Sequence, residues 1–147
     1  TRAHLARATL EALGHQVDDL VRAMQNDLGL GSRNAAVDAG GEGEGEQTLS
    51  RMRVDGGAAA NDVLMQYQSD LSDLIVERPT ELESTARGAA MLAGLGAGLF
   101  GTLAEAAGMS KVNRSFKVEM PAEERDAHRR RWAEAIARAR STPRTAS

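Results

Sequence analysis

The sequence predicts an α/β domain built on a pair of parallel strands, and three observations carry that prediction. Met52 and Val54 form a short β-type run that meets Gly56-Gly57. A helical pattern follows at once, with Ala60, Val63, Leu64, Tyr67 and Leu71 at helical spacing. A second apolar run, Leu74-Ile75-Val76, then ends at Pro79. A strand, a helix and a strand of these lengths imply parallel strands joined by a right-handed crossover.

Residues 4 to 28 precede that unit and carry a helical period through Leu5, Ala8, Leu13, Val17, Leu20, Val21, Met24 and Leu28. Gly29 fits the position just past a helix end. His4 and His15 read as surface or capping histidines, and Asp18-Asp19 as a solvated pair. Residues 30 to 47 include Gly40-Gly41-Glu42-Gly43-Glu44-Gly45-Glu46, a low-complexity acidic run expected to be a flexible loop insertion. Its acids lack the spacing of an EF-hand calcium loop.

The first strand is expected over 48 to 55, the helix over 60 to 73 and the second strand over 74 to 79. A further helix is expected over 86 to 99, with Ser84 or Thr85 as its N-cap. Its Gly88, Ala89, Ala90, Ala93, Gly94, Ala97 and Gly98 make a small-residue surface. Glycine costs helix stability, so such a surface implies a close approach. Packing on the sheet is the expected partner, a wall for a nucleotide base the sharper alternative. Gly94-Leu95-Gly96-Ala97-Gly98 lies within or at the end of a helix, not after a strand, and is no dinucleotide fingerprint.

A short helix over 102 to 108 and an edge strand over 114 to 120 (Phe116, Val118, Met120) come next. Pro121-Ala122-Glu123-Glu124 opens a last helix running to about Arg140, with proline and acids in the first turn. Its arginines interleave with Glu123, Glu124, Asp126 and Glu134, which predicts a solvated, salt-bridged face. Trp132 is expected to anchor this helix to the core, and 141 to 147 to form a tail.

Composition narrows the function classes. The 147 residues are 41% apolar but only 3% aromatic, so the core must be built from small aliphatic side chains. Absence of cysteine excludes disulfides, thiolate catalysis and cysteine-based zinc sites. A net charge of −3 argues against general nucleic-acid binding. The uncharged stretch from Gly88 to Phe100 is too short to span a bilayer, and the first residues show no signal-peptide core, so a cytoplasmic location is expected.

The one stretch with chemistry in it is the corner at Asp55-Gly56-Gly57-Ala58-Ala59-Ala60-Asn61. Read alone, a double glycine before a helix is a tight turn. It also lets a ligand reach the backbone without interference from a Cβ atom. Free N–H groups and the positive dipole end of the following helix suit a phosphate. Asn61 is placed to bond a ribose or a base edge. In open parallel sheets ligands sit beyond the carboxyl ends of the strands, where Gly56 and Gly57 fall.

Several motifs in one order resemble the glycerol kinase branch of the FGGY carbohydrate kinase family, within the actin-like ATPase superfamily. They are Val54-Asp55-Gly56-Gly57, Asn61, Leu64-Met65-Gln66, Gln68-Ser69-Asp70, Val76-Glu77-Arg78-Pro79 and Glu83-Ser84-Thr85-Ala86-Arg87-Gly88-Ala89-Ala90. His4-Leu5-Ala6-Arg7-Ala8-Thr9-Leu10-Glu11 looks like the second half of the family's C-terminal signature, and Phe116 and Trp132 keep its spacing.

The resemblance implies a ribonuclease-H-like fold, here the nucleotide-side half of the family's C-terminal domain. Gly57 and Asn61 match the positions that hold adenosine and its phosphates, with Gly56 before them and Ala58 to Ala60 lining the turn between. It implies ATP or ADP as ligand, with magnesium held mainly by residues outside this chain, and glycerol as the phosphoryl acceptor. The N-terminal domain, with its phosphate-gripping loop, glycerol pocket and catalytic aspartate, is expected to be missing. No residue here then inherits the catalytic role, Asp55 and Asp70 included, and the chain alone is expected to be inactive.

Two alternatives stay open: a non-catalytic truncated relative acting as a protein-interaction module, and a fragment of another sugar or polyol kinase. An incomplete fold also predicts self-association, as a homo-oligomer or an aggregate.

Overall fold

A computed structural model describes residues 1–29, 49–108 and 110–141. The expected loop insertion at 30 to 47 and nearly all of the tail at 141 to 147 lie outside those residues. The elements are α1 (Arg2–Asp27), β1 (Arg51–Arg53), a 3-10 turn (Gly57–Ala60), α2 (Asp62–Ser72), β2 (Ile75–Pro79), α3 (Ser84–Gly96), α4 (Leu103–Ala107), β3 (Val112–Phe116) and α5 (Ala122–Ser141). The sheet order is β1-β2-β3, with β1 parallel to β2 and β3 antiparallel to it. The parallel pair with its crossover helix is therefore as the sequence predicts.

Ala59, Leu64, Met65, Val76 and Phe116 form the buried cluster, with Leu10, Met52, Val54 and Leu82 packed against it. Helix α2 is covered by α1 on one side and the sheet on the other. Its buried face therefore carries Leu64, Met65 and Leu71 but also Gln68, Ser69 and Asp70. The Ser69 hydroxyl is satisfied by the carbonyls of Leu74 at 2.7 Å and Phe116 at 3.0 Å. Val63, one of the apolar residues at helical spacing, is 70% exposed. Buried polar residues blur the apolar period from which the inner face was read.

Other expectations shift for local reasons. Regular pairing of β1 is confined to Arg51–Arg53, although Val54 N–H still donates to the Glu77 carbonyl at 3.1 Å. Helix α3 begins at Ser84 with Glu83 as N-cap and no side-chain cap bond, so neither Ser84 nor Thr85 caps it. Strand β3 starts at Val112 and ends at Phe116. Beyond it the Asp70 carboxylate takes the N–H groups of Glu119 (2.7 Å) and Met120 (3.1 Å), which removes them from a ladder. Gly29 has φ 65°, the left-handed conformation of a helix stop.

Three polar expectations are overturned on the α1–α5 side. Asp18 is 1% exposed and held by Arg129 through two bonds of 2.9 and 2.8 Å. Arg125, expected on a solvated face, is buried, donating to the Asp70 carbonyl at 2.7 Å and pairing with Asp73 at 3.0 Å. His15 is buried rather than superficial. It stacks on Trp132 with ring centroids 5.0 Å apart, and the indole N–H of Trp132 donates to Asp19 at 2.8 Å. Trp132 does anchor α5, and its anchor is α1.

The small-residue surface of α3 does not pack on the sheet. Among its residues Gly94 alone is buried, under the Phe100 ring, where an added Cβ would come within 2.6 Å. Leu92, Leu99 and Leu103 on α3, its C-terminal loop and α4 are more than half exposed.

Candidate functional site

The corner forms where β1 leaves the sheet. Gly56 has φ 79° and ψ 174°, a conformation that favours glycine, and its N–H donates to the Leu82 carbonyl at 2.9 Å. The chain then makes the 3-10 turn, with Ala59 N–H bonded to the Gly56 carbonyl and Asn61 N–H to that of Ala58, both at 3.1 Å. Ala59 plugs the turn into the core, while Gly57, Ala58, Ala60 and Asn61 are exposed. A helix directly after Gly-Gly was expected; this turn intervenes and sets the start of α2 at Asp62.

Asn61 is the N-cap of α2. Its Oδ1 accepts the Leu64 N–H at 3.2 Å, leaving its side-chain amide donors for other work. Gly57 and Ala58 stand at the open end of the turn, where N–H groups have no acceptor within it. A Cβ added at Gly57 would meet nothing within 4 Å. The four residues singled out from sequence, Gly56, Gly57, Ala58 and Asn61, are thus parts of one ledge at the carboxyl end of the parallel pair.

Beside the ledge lies a cleft of about 160 Å³, lined by Arg53, Val54, Asp55, Glu77, Ser84 and Arg87 among others. Asp55 accepts a hydrogen bond from the Ser84 hydroxyl, which ties the start of α3 to the corner. Glu77, buried on β2, is paired by Arg51 and Arg53 from β1. Asp70 is not near this cleft's lining; its carboxylate and carbonyl are committed to Gln66, Glu119, Met120 and Arg125. Among the described residues no group of three or more His, Cys, Asp or Glu could hold a metal ion. Nor is any helix among them long and apolar enough to cross a membrane.

Arg78, quoted in sequence only as part of a motif, is the residue whose part was missed. One guanidinium nitrogen donates to the carbonyls of Ala59 (2.9 Å) and Ala60 (3.3 Å) and to the Asp62 carboxylate (2.7 Å). The group also lies over the Phe116 ring, 5.5 Å from its centroid. Nothing in local spacing marks it, because its partners lie 16 to 19 residues back in the chain. A second polar cluster sits away from the corner. The Tyr67 hydroxyl bridges His15 Nε2 (3.2 Å) and His128 Nδ1 (3.0 Å).

The class of protein follows from fold, corner and family match together. The model of the C-terminal domain of the FGGY family of carbohydrate kinases matches residues 1–97, and the chain belongs to that family. Its fold is the ribonuclease-H-like α/β fold of actin-like ATPases, present in part.

Within the family the similar proteins include the glycerol kinases of Bdellovibrio bacteriovorus, 46% identical over 138 residues, and Acinetobacter baylyi, 43% identical over 141. These alignments cover 94% and 96% of this chain. The chain spans only about a quarter of those relatives, 24% and 25% of their lengths. A crystal structure of Plasmodium falciparum glycerol kinase with ADP superposes with a TM-score of 0.73 at 27% identity, over 94% of this chain and 24% of that one. Ligand-bound xylulose kinase from Lactobacillus acidophilus, at TM-score 0.61 and 18% identity over 95% of this chain and 25% of its own, shares the fold.

Proposed function

We propose that this chain is the nucleotide-side part of an ATP-dependent glycerol kinase, an enzyme that phosphorylates glycerol to sn-glycerol 3-phosphate. The observation that carries the reading is the ledge from Gly56 to Asn61. Its exposed backbone lies at the carboxyl end of a parallel pair, in a chain whose similar proteins include a glycerol kinase seen with ADP. In this reading the N–H groups of Gly57 and Ala58 face the nucleotide's phosphates or ribose, and the Asn61 amide donates to ribose or base. Gly56 supplies the turn that brings them there.

Phosphoryl transfer asks for positioning, charge neutralisation and a carboxylate to accept the proton of the attacking hydroxyl. The described residues fit the first task only. Magnesium would arrive with the nucleotide, and the glycerol pocket and base would come from the rest of the kinase. The chain alone is therefore silent in a coupled glycerol-plus-ATP assay, and turnover by the purified chain would sink that statement. A cytoplasmic setting, where ATP is supplied, belongs to the same reading.

Calorimetric titration with Mg·ADP tests it, with Gly57→Asp as the control. That substitution adds a carboxylate where the reading places phosphate oxygens, and the open space above Gly57 lets the variant fold. Binding by the parent and not by the variant supports the ledge as a nucleotide half-site. A folded parent that ignores Mg·ADP overturns it. The interaction-module reading, which the exposed leucines of α3 and α4 favour, would then stand in its place.

A further inference from the structure

We infer that Arg78 is a positioning residue for nucleotide binding, acting through the 3-10 turn rather than by touching the ligand. The inference rests on the proposed function of the ledge and names what sets its geometry. In any helical turn the carbonyls point toward the C-terminal end and the N–H groups toward the N-terminal end. Arg78 takes the Ala59 and Ala60 carbonyls at the C-terminal end of the turn. Fixing those carbonyls fixes the direction of the Gly57 and Ala58 N–H groups at the opposite, open end.

The same nitrogen reaches the Asp62 carboxylate at 2.7 Å, so its contacts fall on both sides of Asn61. Asn61 is the residue whose side-chain amide the reading assigns to ribose or base. The Arg78 side chain is only 13% exposed and rests on Phe116, with Arg114 over the same ring at 4.8 Å and also paired to Asp62. All three contacts use one guanidinium nitrogen, and the planar group lying over Phe116 sets the direction of its two hydrogens; a lysine ammonium has no plane to seat on that ring. An ion pair alone would need Asp62 only. The two carbonyl contacts are what aim the turn.

The test titrates Mg·ADP into the parent chain and into Arg78→Met, Arg78→Lys and Asp62→Asn, with amide hydrogen exchange of the free proteins alongside. Arg78→Met is expected to raise the Kd for Mg·ADP about tenfold, the scale set by losing charge-assisted bonds. Exchange at the Ala59 and Asn61 amides should quicken, while amides of α5 stay protected. Arg78→Lys, the variant that keeps the charge and the better chance of folding, should weaken binding by severalfold. Asp62→Asn keeps both carbonyl contacts and should stay within about twofold of the parent.

Native affinity in Arg78→Lys would assign the effect to charge and overturn the positioning role. So would an Asp62→Asn loss as large as that of Arg78→Met. A parent that binds Mg·ADP as tightly as Arg78→Met overturns this inference and leaves the functional reading intact. A parent that does not bind overturns both.

Discussion

The helical layer around α2 and the corner with α3 differ in how completely they are built. Toward α1 and α5 the interface is closed: Asp18 is buried against Arg129, His15 stacks on Trp132 and meets the Tyr67 ring edge-on, and an added Cβ at Gly14 would fall 2.6 Å from the Tyr67 ring. Toward the corner and α3 the surface is open: Gly57 has empty space above it, and Leu99 is 75% exposed. Closed packing marks what this chain completes by itself. Open backbone at the corner marks where it meets something else.

The largest test of that contrast removes one charge from the closed side. Arg129→Met leaves the Asp18 carboxylate buried without its bidentate partner, and urea denaturation should show a loss of about 3–5 kcal/mol. Next comes a matched pair of insertions. Gly14→Val forces a branched side chain into the Tyr67 ring and should cost about 1–3 kcal/mol, whereas Gly57→Val, with nothing within 4 Å of its Cβ, should cost no more than about 0.5 kcal/mol. Equal costs would erase the distinction between the sides.

Protonation probes the same interface more gently. Burial lowers the pKa of His15, and nearby His128 pushes the same way against the opposing pull of Asp18, Asp19 and Glu11. The folded chain then binds fewer protons than the unfolded one near pH 6. Stability from this group is complete above the ordinary histidine value of about 6.5 and is lost as pH falls through the lowered one. His15→Phe, which keeps a ring against Trp132, should flatten the denaturation midpoint between pH 7.5 and 5.5. At the alkaline end burial raises the Tyr67 pKa to about 12, so its contribution is full below about pH 10 and fades as pH rises through 12. The smallest effect belongs to the open side, where Leu92→Ser should change stability by no more than about 0.5 kcal/mol while reducing self-association in sedimentation.

Order and kind of the elements were legible because strand, turn and helix signals are local. Gly56 needs its unusual φ, Asn61 caps the next helix, and Pro79 closes β2, each within a few residues of its cause. The side chains misread as solvated have distant causes. Asp18 and Arg129 are 111 residues apart, and Arg125 reaches the Asp70 carbonyl across 55. A charged residue on a helix face gives no local sign that its counter-ion arrives from the other end of the chain. Arg78 escaped notice for a milder version of the same reason, and the α3 surface for the opposite one. Its small residues announce a close approach, yet among the described residues only Phe100 makes one.

The sheet's outer strand has a colloidal consequence. A free β edge is a template on which another chain can extend the ladder, and proteins commonly blunt it with short strands and charge. Strand β1 is three residues long and reads Arg51-Met52-Arg53, with both arginines exposed and leaning toward Glu77. Two chains meeting edge to edge would bring four guanidinium groups together. The same arginines that neutralise a buried glutamate thus discourage fibril-type growth from this edge.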